Sequence, residues 1–177
     1  GHVDLTARVS RAEGAAVWRY MPVNAPMTSK WLKRGLVSAQ GTEGKVRVKG
    51  DLRDFPFDDP KTGVFEVSAR VANGVLDFED GWPRITGIQG EYAMNGRRLQ
   101  VRASRAATLG LQLQKVSALI PDLFSDHQHR LQLEGAAEGP SAEFLRYVAS
   151  SPVNALTDRV LEGWTATGNG RLTLSFD

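Results

Sequence analysis

The chain has 177 residues, of which 41% are apolar and 24% charged, and this composition is typical of a folded globular protein and excludes an intrinsically disordered one. Because 22 Lys and Arg stand against 20 Asp and Glu, the net charge is only +2, and the charge balance gives no reason to expect nucleic acid as a partner. The absence of cysteine excludes disulfide scaffolds, thiol nucleophiles, zinc fingers and iron–sulfur sites.

Both ends of the chain consist of alternating apolar and polar residues. The apolar positions are Val3, Leu5, Ala7 and Val9 at one end and Leu172, Leu174 and Phe176 at the other. A strand that starts without methionine directly after Gly1-His2, and another that runs to the last residues, are typical of a segment cut from a longer chain. We therefore predict that residues 1–2 are a tag remnant and that 3–177 form a single β-rich segment excised from a much larger protein. A small protein with trimmed termini is the alternative.

Short alternating runs separated by turn residues predict strands through most of the chain, about nine in all. Their apolar positions include Val46, Val48, Phe65, Val67, Ala69, Val71, Ile88, Tyr92, Met94, Leu99, Val101, Ala103, Leu131 and Leu133. Asn-Gly dipeptides favour tight hairpin turns, so we expect hairpins at Asn73-Gly74 and at Asn95-Gly96.

One of these runs changes its phase at Lys115. The apolar residues before it are Leu109, Leu111 and Leu113, and those after it, with the opposite parity, are Val116, Ala118 and Ile120. One extra residue in a strand returns the side chains that follow it to the original face. This pattern therefore predicts a β-bulge or a change of element near Lys115.

Three short segments have the spacing of helices. The first follows Thr28 or Ser29 as a cap and ends near Gly35, with apolar residues at Trp31, Leu32 and Leu36. The second opens at Pro140-Ser141, with apolar residues at Phe144, Leu145 and Val148. The third ends at Gly163, with apolar residues at Val153, Leu156 and Val160.

The predicted elements leave part of the apolar sheet face without a cover. Nine strands about 18 Å long and about 4.8 Å apart give a face of roughly 800 Å², whereas three helices of about nine residues cover roughly 400 Å². The sheet could pack on itself, be covered by another part of the parent chain, or hold an apolar ligand. We therefore predict a mainly β fold with a minor α component, in which a large curved antiparallel sheet forms a groove or half-barrel with two or three short helices.

Candidate metal ligands are few and poorly spaced. His127 and His129 could bind a metal, but no third ligand follows at a recognisable distance. Asp54, Asp58 and Asp59 could hold calcium or act as acid and base, but they lack the spacing of a calcium loop, and turn chemistry explains them better. We expect no metal site.

Catalytic and phosphate-binding motifs are also missing from the sequence. Ser150-Ser151 lacks the glycine context of a nucleophile elbow, and no glycine-rich phosphate loop opens a helix. The cluster of Arg97, Arg98, Arg102 and Arg105 is explained most simply as the solvated polar face of a strand, with nucleic acid or anionic lipid headgroups as the alternative. We expect no catalytic residues, no cofactor and no enzymatic activity.

A series of landmarks along nearly the whole chain resembles the central domain of the YhdP family, large proteins of the AsmA-like group in Gram-negative bacteria. The landmarks, in order, are Tyr20-Met21-Pro22, Trp31-Leu32, Gly50 to Phe57, Gly63 to Val67, Trp82-Pro83 with Ile85 and Gly87, Ile120 to Leu123, Phe144-Leu145 and Ser151-Pro152. No single one of these motifs is specific, and the resemblance rests on their order and spacing.

The resemblance implies a role in the cell envelope. Proteins of this family are anchored in the inner membrane by an N-terminal helix, cross the periplasm as an elongated β-sheet groove with an apolar lining, and are implicated in moving phospholipid to the outer membrane and in the envelope permeability barrier. This chain would then be a periplasmic segment of such a protein. Its expected partners are phospholipid acyl chains, neighbouring segments of the same parent chain and other envelope proteins.

An apolar trough lowers the cost of moving an acyl chain through water, about 0.8 kcal/mol per CH₂, without any chemical step. The candidates for its lining are Phe65, Val67, Leu99, Val101, Leu109, Leu111, Leu113, Leu131, Leu133, Leu172 and Leu174. Two other functions stay open at this point. The segment could be a structural or assembly module without lipid contact. It could also be a polysaccharide-acting enzyme or a lectin that uses its tryptophans, Trp18, Trp31, Trp82 and Trp164.

Overall fold

The predicted strands pair with one another in sequence order. In a computed structural model, which describes residues 1–20, 26–125, 130–156, 158–161 and 163–176, eight strands form one antiparallel sheet in the order β1 to β8. They are β1 (His2–Glu13), β2 (Leu36–Asp51), β3 (Gly63–Leu76), β4 (Ile85–Asn95), β5 (Arg98–Thr108), β6 (Leu111–Ile120), β7 (Gln132–Pro140) and β8 (Asn169–Phe176). The mainly β antiparallel fold is confirmed, with eight strands in place of about nine.

The helices lie in two of the connections between strands. Helix α1 (Pro26–Gly35) lies between β1 and β2, and α2 (Ser141–Ala149) and α3 (Val153–Leu156) lie between β7 and β8. Short 3₁₀ helices cover Gly14–Tyr20 and Leu52–Asp54. All three α-helices are at the same end of the sheet, because β1 and β7 run in the same direction in this alternating order.

The second predicted helix is confirmed. The first is confirmed up to Gly35, but it begins at Pro26, before the expected cap at Thr28 or Ser29, and Leu36 belongs to β2. The third is shorter than predicted. It was expected to reach Gly163 but ends at Leu156. The next turn cannot continue the helix, because Asp158 and Arg159 have left-handed backbone angles, with φ of 49° and 56°.

The hairpin expected at Asn73-Gly74 is wrong. Strand β3 continues through this dipeptide to Leu76. Asn73 has a φ of 53°, and the pairing with β4 shifts between Val71 and Gly74, so the dipeptide forms a β-bulge. A left-handed Asn suits a bulge as well as a turn, which makes the sequence signal ambiguous. The second dipeptide, Asn95-Gly96, does join β4 to β5.

The bulge in β3 is one of a row that crosses the sheet. Left-handed residues accompany register shifts in β2 at Glu43, in β4 at Gly87 and in β6 at Lys115, with φ of 53°, 61° and 51°. Each bulge bends its strand and increases the local twist. The row therefore curves the sheet across its middle. The bulge predicted near Lys115 is confirmed, and it keeps the apolar residues on both sides of Lys115 on one face.

The register places most of the alternating apolar residues on that face, here called the apolar face. One row across it runs through Val46, Val67, Met94, Leu99 and Ile120, each opposite the next on neighbouring strands. The positions between them lie on the opposite face and are mostly charged or polar, with Ala93 and Leu119 as exceptions. The sheet therefore has one apolar and one solvated surface.

Aromatic side chains cover the apolar face at one end of the strands. Residues 51–62 and 121–125, here called the first wall, bring Phe55, Phe57 and Phe124 into contact with one another and with Phe65 and Met94 of the sheet. Phe57 fits there because Gly50 and Gly63 leave room: a Cβ at either position would lie 2.7 Å or less from its ring. This end therefore contains the main buried cluster.

A row of rings closes the other end. Trp31 of α1, Phe78 and Trp82 of the β3–β4 connection, and Tyr147 of α2 follow one another with centroid separations of 6.3, 6.3 and 6.4 Å. Trp31 Nε1 also donates a hydrogen bond to the Phe78 carbonyl oxygen at 3.0 Å. These three connections, here called the second wall, are tied together by aromatic contacts although they are distant in sequence.

The sheet does not close on itself. Strand β1 pairs with β2 and β8 with β7, and no pairing joins β1 to β8 in the described part of the chain. The accessible surface is 11,769 Å², compared with roughly 8,500 Å² for a compact monomer of this mass. The excess shows that much of the surface which a closed domain would bury is open here.

Candidate functional site

The apolar face forms a groove between the two walls. Its floor crosses eight strands from β1 to β8, a length of about 34 Å at the usual strand spacing. At the two ends of the groove, Leu5 of β1 is 49% exposed and Leu172 and Leu174 of β8 are each 50% exposed. The groove is therefore closed along its sides and open at both sheet edges.

The predicted lining residues occupy three different environments. Phe65 and Leu111 are buried, with exposures of 9% and 3%, so they belong to the packed interior under the walls. Leu172 and Leu174 are half-exposed at the edge. The intermediate group is partly buried and consists of Val67, Leu99, Val101, Leu109, Leu113, Leu131 and Leu133. Two of them do not lie on a strand as their alternation predicted: Leu109 is in the turn between β5 and β6, with a φ of 44°, and Leu131 precedes β7. Contact of any of these residues with lipid stays a prediction.

Sequence reasoning missed three residues of the groove. Leu5 and Val9 lie on β1 in the same row as Val48 and Gly44, and their exposures of 49% and 36% place them at the open end. Tyr92 lies on the floor beside Val101. The alternating pattern already contained all three, but the register was needed to show which sequence-distant residues share a row.

Tyr92 places a polar group on the groove floor. Its hydroxyl has Met94 Sδ as a neighbour at 3.4 Å, which is a weak acceptor. Burial raises the pKa of the Tyr92 phenol to about 12, because the phenolate cannot be solvated there. The side chain is therefore neutral over the whole physiological range and contributes an apolar ring to the floor.

Alkaline pH is expected to destabilise the protein through Tyr92. The unfolded phenol loses its proton near pH 10, whereas the folded one holds it to about pH 12. Between these values the folded state binds more protons, so the free energy of unfolding falls as the pH rises, by about 2 to 3 kcal/mol in total. Urea denaturation from pH 9 to 12 measures this loss. Tyr92→Phe should show a smaller loss over the same range, and an identical loss would contradict the assignment.

Ion pairs fix the connections that make up the first wall. Arg97 Nη2 contacts Asp58 at 3.1 Å and Arg97 Nη1 contacts Asp122 at 3.3 Å, so one guanidinium joins residues 51–62 to residues 121–125. The hydrogen bond from Arg97 lowers the pKa of Asp58. In the second wall, Arg84 lowers the pKa of Asp77 in the same way. Arg97 and Asp58 are thus structural partners.

The described residues contain no arrangement that resembles a metal centre, since no three His, Cys, Asp or Glu side chains cluster as ligands would. The predicted pair His127 and His129 falls outside the described residues. The described helices are also all too short or too polar to cross a membrane.

Comparison with known proteins identifies the family to which the chain belongs. The model of the family described as YhdP protein matches residues 1–177, the whole chain. The chain belongs to this family. No match was found among curated proteins or among solved structures.

Several of the landmarks that resemble the YhdP family lie in the walls of the groove. Phe55 and Phe57 form the first wall, and Trp31 and Trp82 contribute two of the four rings that tie the second wall together. Gly50 and Gly63 are the positions that accommodate Phe57. Membership of an AsmA-like envelope family therefore agrees with a β-sheet that is open along one apolar surface.

Proposed function

We propose that the chain is a non-enzymatic segment of an inner-membrane-anchored periplasmic protein, and that its groove carries phospholipid acyl chains towards the outer membrane. The observation that carries this proposal is an apolar floor with walls at both strand ends and half-exposed leucines at both sheet edges. A closed core would bury these leucines, and a purely structural sheet would gain nothing from leaving them in water.

The physical basis of transport is solvation. Each CH₂ of an acyl chain that leaves water for an apolar floor gains about 0.8 kcal/mol. The hydrocarbon of one bilayer leaflet is about 15 Å deep, so a floor of about 34 Å is longer than an acyl chain. Because the contacts are non-directional, a lipid can slide along the floor without a specific binding step. No cofactor or catalytic residue is required.

At its open end, the groove needs a neighbouring segment of the parent chain to continue its apolar floor. A lipid that reaches Leu172 or Leu174 meets water unless another apolar surface continues the floor. We therefore place a further segment of the same protein beside β8, with the headgroup in solvent and the acyl chains inside.

The test is the lipid content of the purified protein. Extraction of the full-length protein, followed by mass spectrometry, should recover phospholipid in at least equimolar amount. A protein of similar size without an apolar groove, purified from the same membranes, gives the background. Recovery at background level would overturn the proposal.

Unpaired strand edges favour a second candidate, a structural or assembly module. Strands β1 and β8 each expose backbone N–H and C=O groups along one side, and such edges readily pair with other strands. In this case the groove residues would only support packing. The two functions differ in the effect of charged groove substitutions, which would leave an assembly module active as long as the protein folds.

A further inference from the structure

The positive charge of the chain is concentrated at one edge of the sheet. Residues 1–51, which include β1, α1 and β2, contain nine Lys and Arg against four Asp and Glu, whereas residues 52–177 contain 13 against 16. The connection 14–35 contains four cations and no carboxylate. A chain with a net charge of only +2 therefore has one edge with a net charge of +5.

Several cations of this edge lack the carboxylate partners that cations have elsewhere. The other connections between strands contain four arginines that form ion pairs with carboxylates, namely Arg53, Arg84, Arg97 and Arg146. In the connection 14–35, Arg34 pairs with Glu79 at 3.1 Å. Among the described residues, no carboxylate forms an ion pair with Arg19, Lys30 or Lys33, so their charge is available to an external partner.

Two further cations face each other on the strands of the same edge. Arg8 lies directly opposite Lys45 in the β1–β2 register, on the polar face, whereas the next cation on that face of β2, Arg47, lies opposite Glu66 of β3. Like charges directly opposite each other destabilise an antiparallel pair. An anionic partner would remove this repulsion, so the register gives a second, independent indication of an anionic ligand.

Trp18 lies among the cations of the connection. Lys33 Nζ is 4.7 Å and Arg19 Cζ is 5.4 Å from the Trp18 ring centroid. Its neighbour Val17 is 37% exposed. A tryptophan beside basic residues and an exposed apolar side chain is the combination that binds at the interface of a lipid bilayer.

We propose that this basic edge, defined by Arg8, Lys45, Arg19, Lys30 and Lys33 together with Trp18 and Val17, docks on the surface of an anionic phospholipid bilayer. The cations contact lipid phosphates, and Trp18 and Val17 enter the headgroup layer. The proposal goes beyond lipid transport, because it does not require any lipid to enter the groove.

The test is flotation of the purified chain with vesicles. One set contains phosphatidylglycerol and phosphatidylcholine in equal amounts, and the other contains phosphatidylcholine only. The chain should float with the first set and stay behind with the second, and added salt should weaken the binding. The variant Arg19→Gln/Lys30→Gln/Lys33→Gln should bind about a hundredfold more weakly, since each cation near an anionic surface contributes about fivefold.

A matched variant removes three cations from another part of the sheet. Arg98→Gln/Arg102→Gln/Arg105→Gln changes the net charge equally and leaves the basic edge intact, so it should keep nearly the full affinity. Circular dichroism confirms that both variants fold. Equal loss in the two variants, or no binding to phosphatidylglycerol vesicles, would overturn the proposal. Groove variants should bind vesicles normally, which separates this inference from the transport function.

Discussion

Substitution of Leu172 and Leu174 by aspartate is expected to reduce lipid binding by the purified chain to background. Both side chains lie on the apolar face of an edge strand and are half-exposed, so the change should leave the fold intact. Two carboxylates at the open end of the groove would have to lose water whenever an acyl chain passes, which costs several kcal/mol per group. Crosslinking to a photoactivatable phospholipid measures the effect, with an expected decrease of at least about tenfold.

The control lies on the same strand and carries the same added charge. Thr173→Asp/Ser175→Asp places both carboxylates on the polar face, where they remain in solvent. Ser175 is opposite Glu134, so the added carboxylate at this position introduces a charge repulsion that the groove variant does not have. It should nevertheless crosslink like the unmodified chain. If both variants lose crosslinking equally, the apolar face is not the lipid path.

The substitution Gly90→Ala is expected to destabilise the protein by about 3 kcal/mol, because it forces strands β4 and β5 apart. A Cβ at this position would lie 2.1 Å from the Arg102 carbonyl oxygen and 2.8 Å from the Ala103 Cα. Both are backbone atoms of the paired strand, so no side-chain rotation relieves the contact. Thermal unfolding should show a decrease in Tm of roughly 9 °C for a chain of this size.

Gly41→Ala is the matched control for this prediction. Gly41 also lies in a strand of the same sheet, but a Cβ there would be 3.5 Å from its nearest neighbour, Ala12, which is ordinary contact. Its Tm should change by less than about 2 °C, since such substitutions alter stability by about 0.5 kcal/mol or less. Equal effects at the two positions would mean that the close approach of β4 and β5 at Gly90 does not exist in solution.

Much of the sheet could be predicted from local signals. Alternation alone located the apolar positions of β3, β5 and β7, and the change of parity predicted a bulge or a change of element near Lys115, where the structure has a bulge. The same logic failed at Asn73-Gly74, because a left-handed Asn has the same sequence signature in a turn and in a bulge. Local conformational preference can identify the backbone state, but not the element that contains it.

The candidate groove was predictable only in part. The residues of the apolar face followed from their alternation, but burial of Phe65 and Leu111 under the walls and exposure of Leu172 and Leu174 did not. These differences depend on which connection folds over which strand. The first wall, for example, covers the sheet because Arg97 joins two connections that are separated by about sixty residues in sequence.

The sequence by itself therefore determined the mainly β composition, the single apolar face, the first two helices and the family resemblance, since these depend on residue spacing and on landmarks along the chain. Only the tertiary structure decided that the sheet has eight strands and two open edges, that its walls are held by aromatic contacts and ion pairs, and that the four cations of residues 14–35 lie between the edge strand β1 and its neighbour β2. The physical reason is that alternation fixes the face of each side chain, whereas the cover over that face is set by contacts between distant residues.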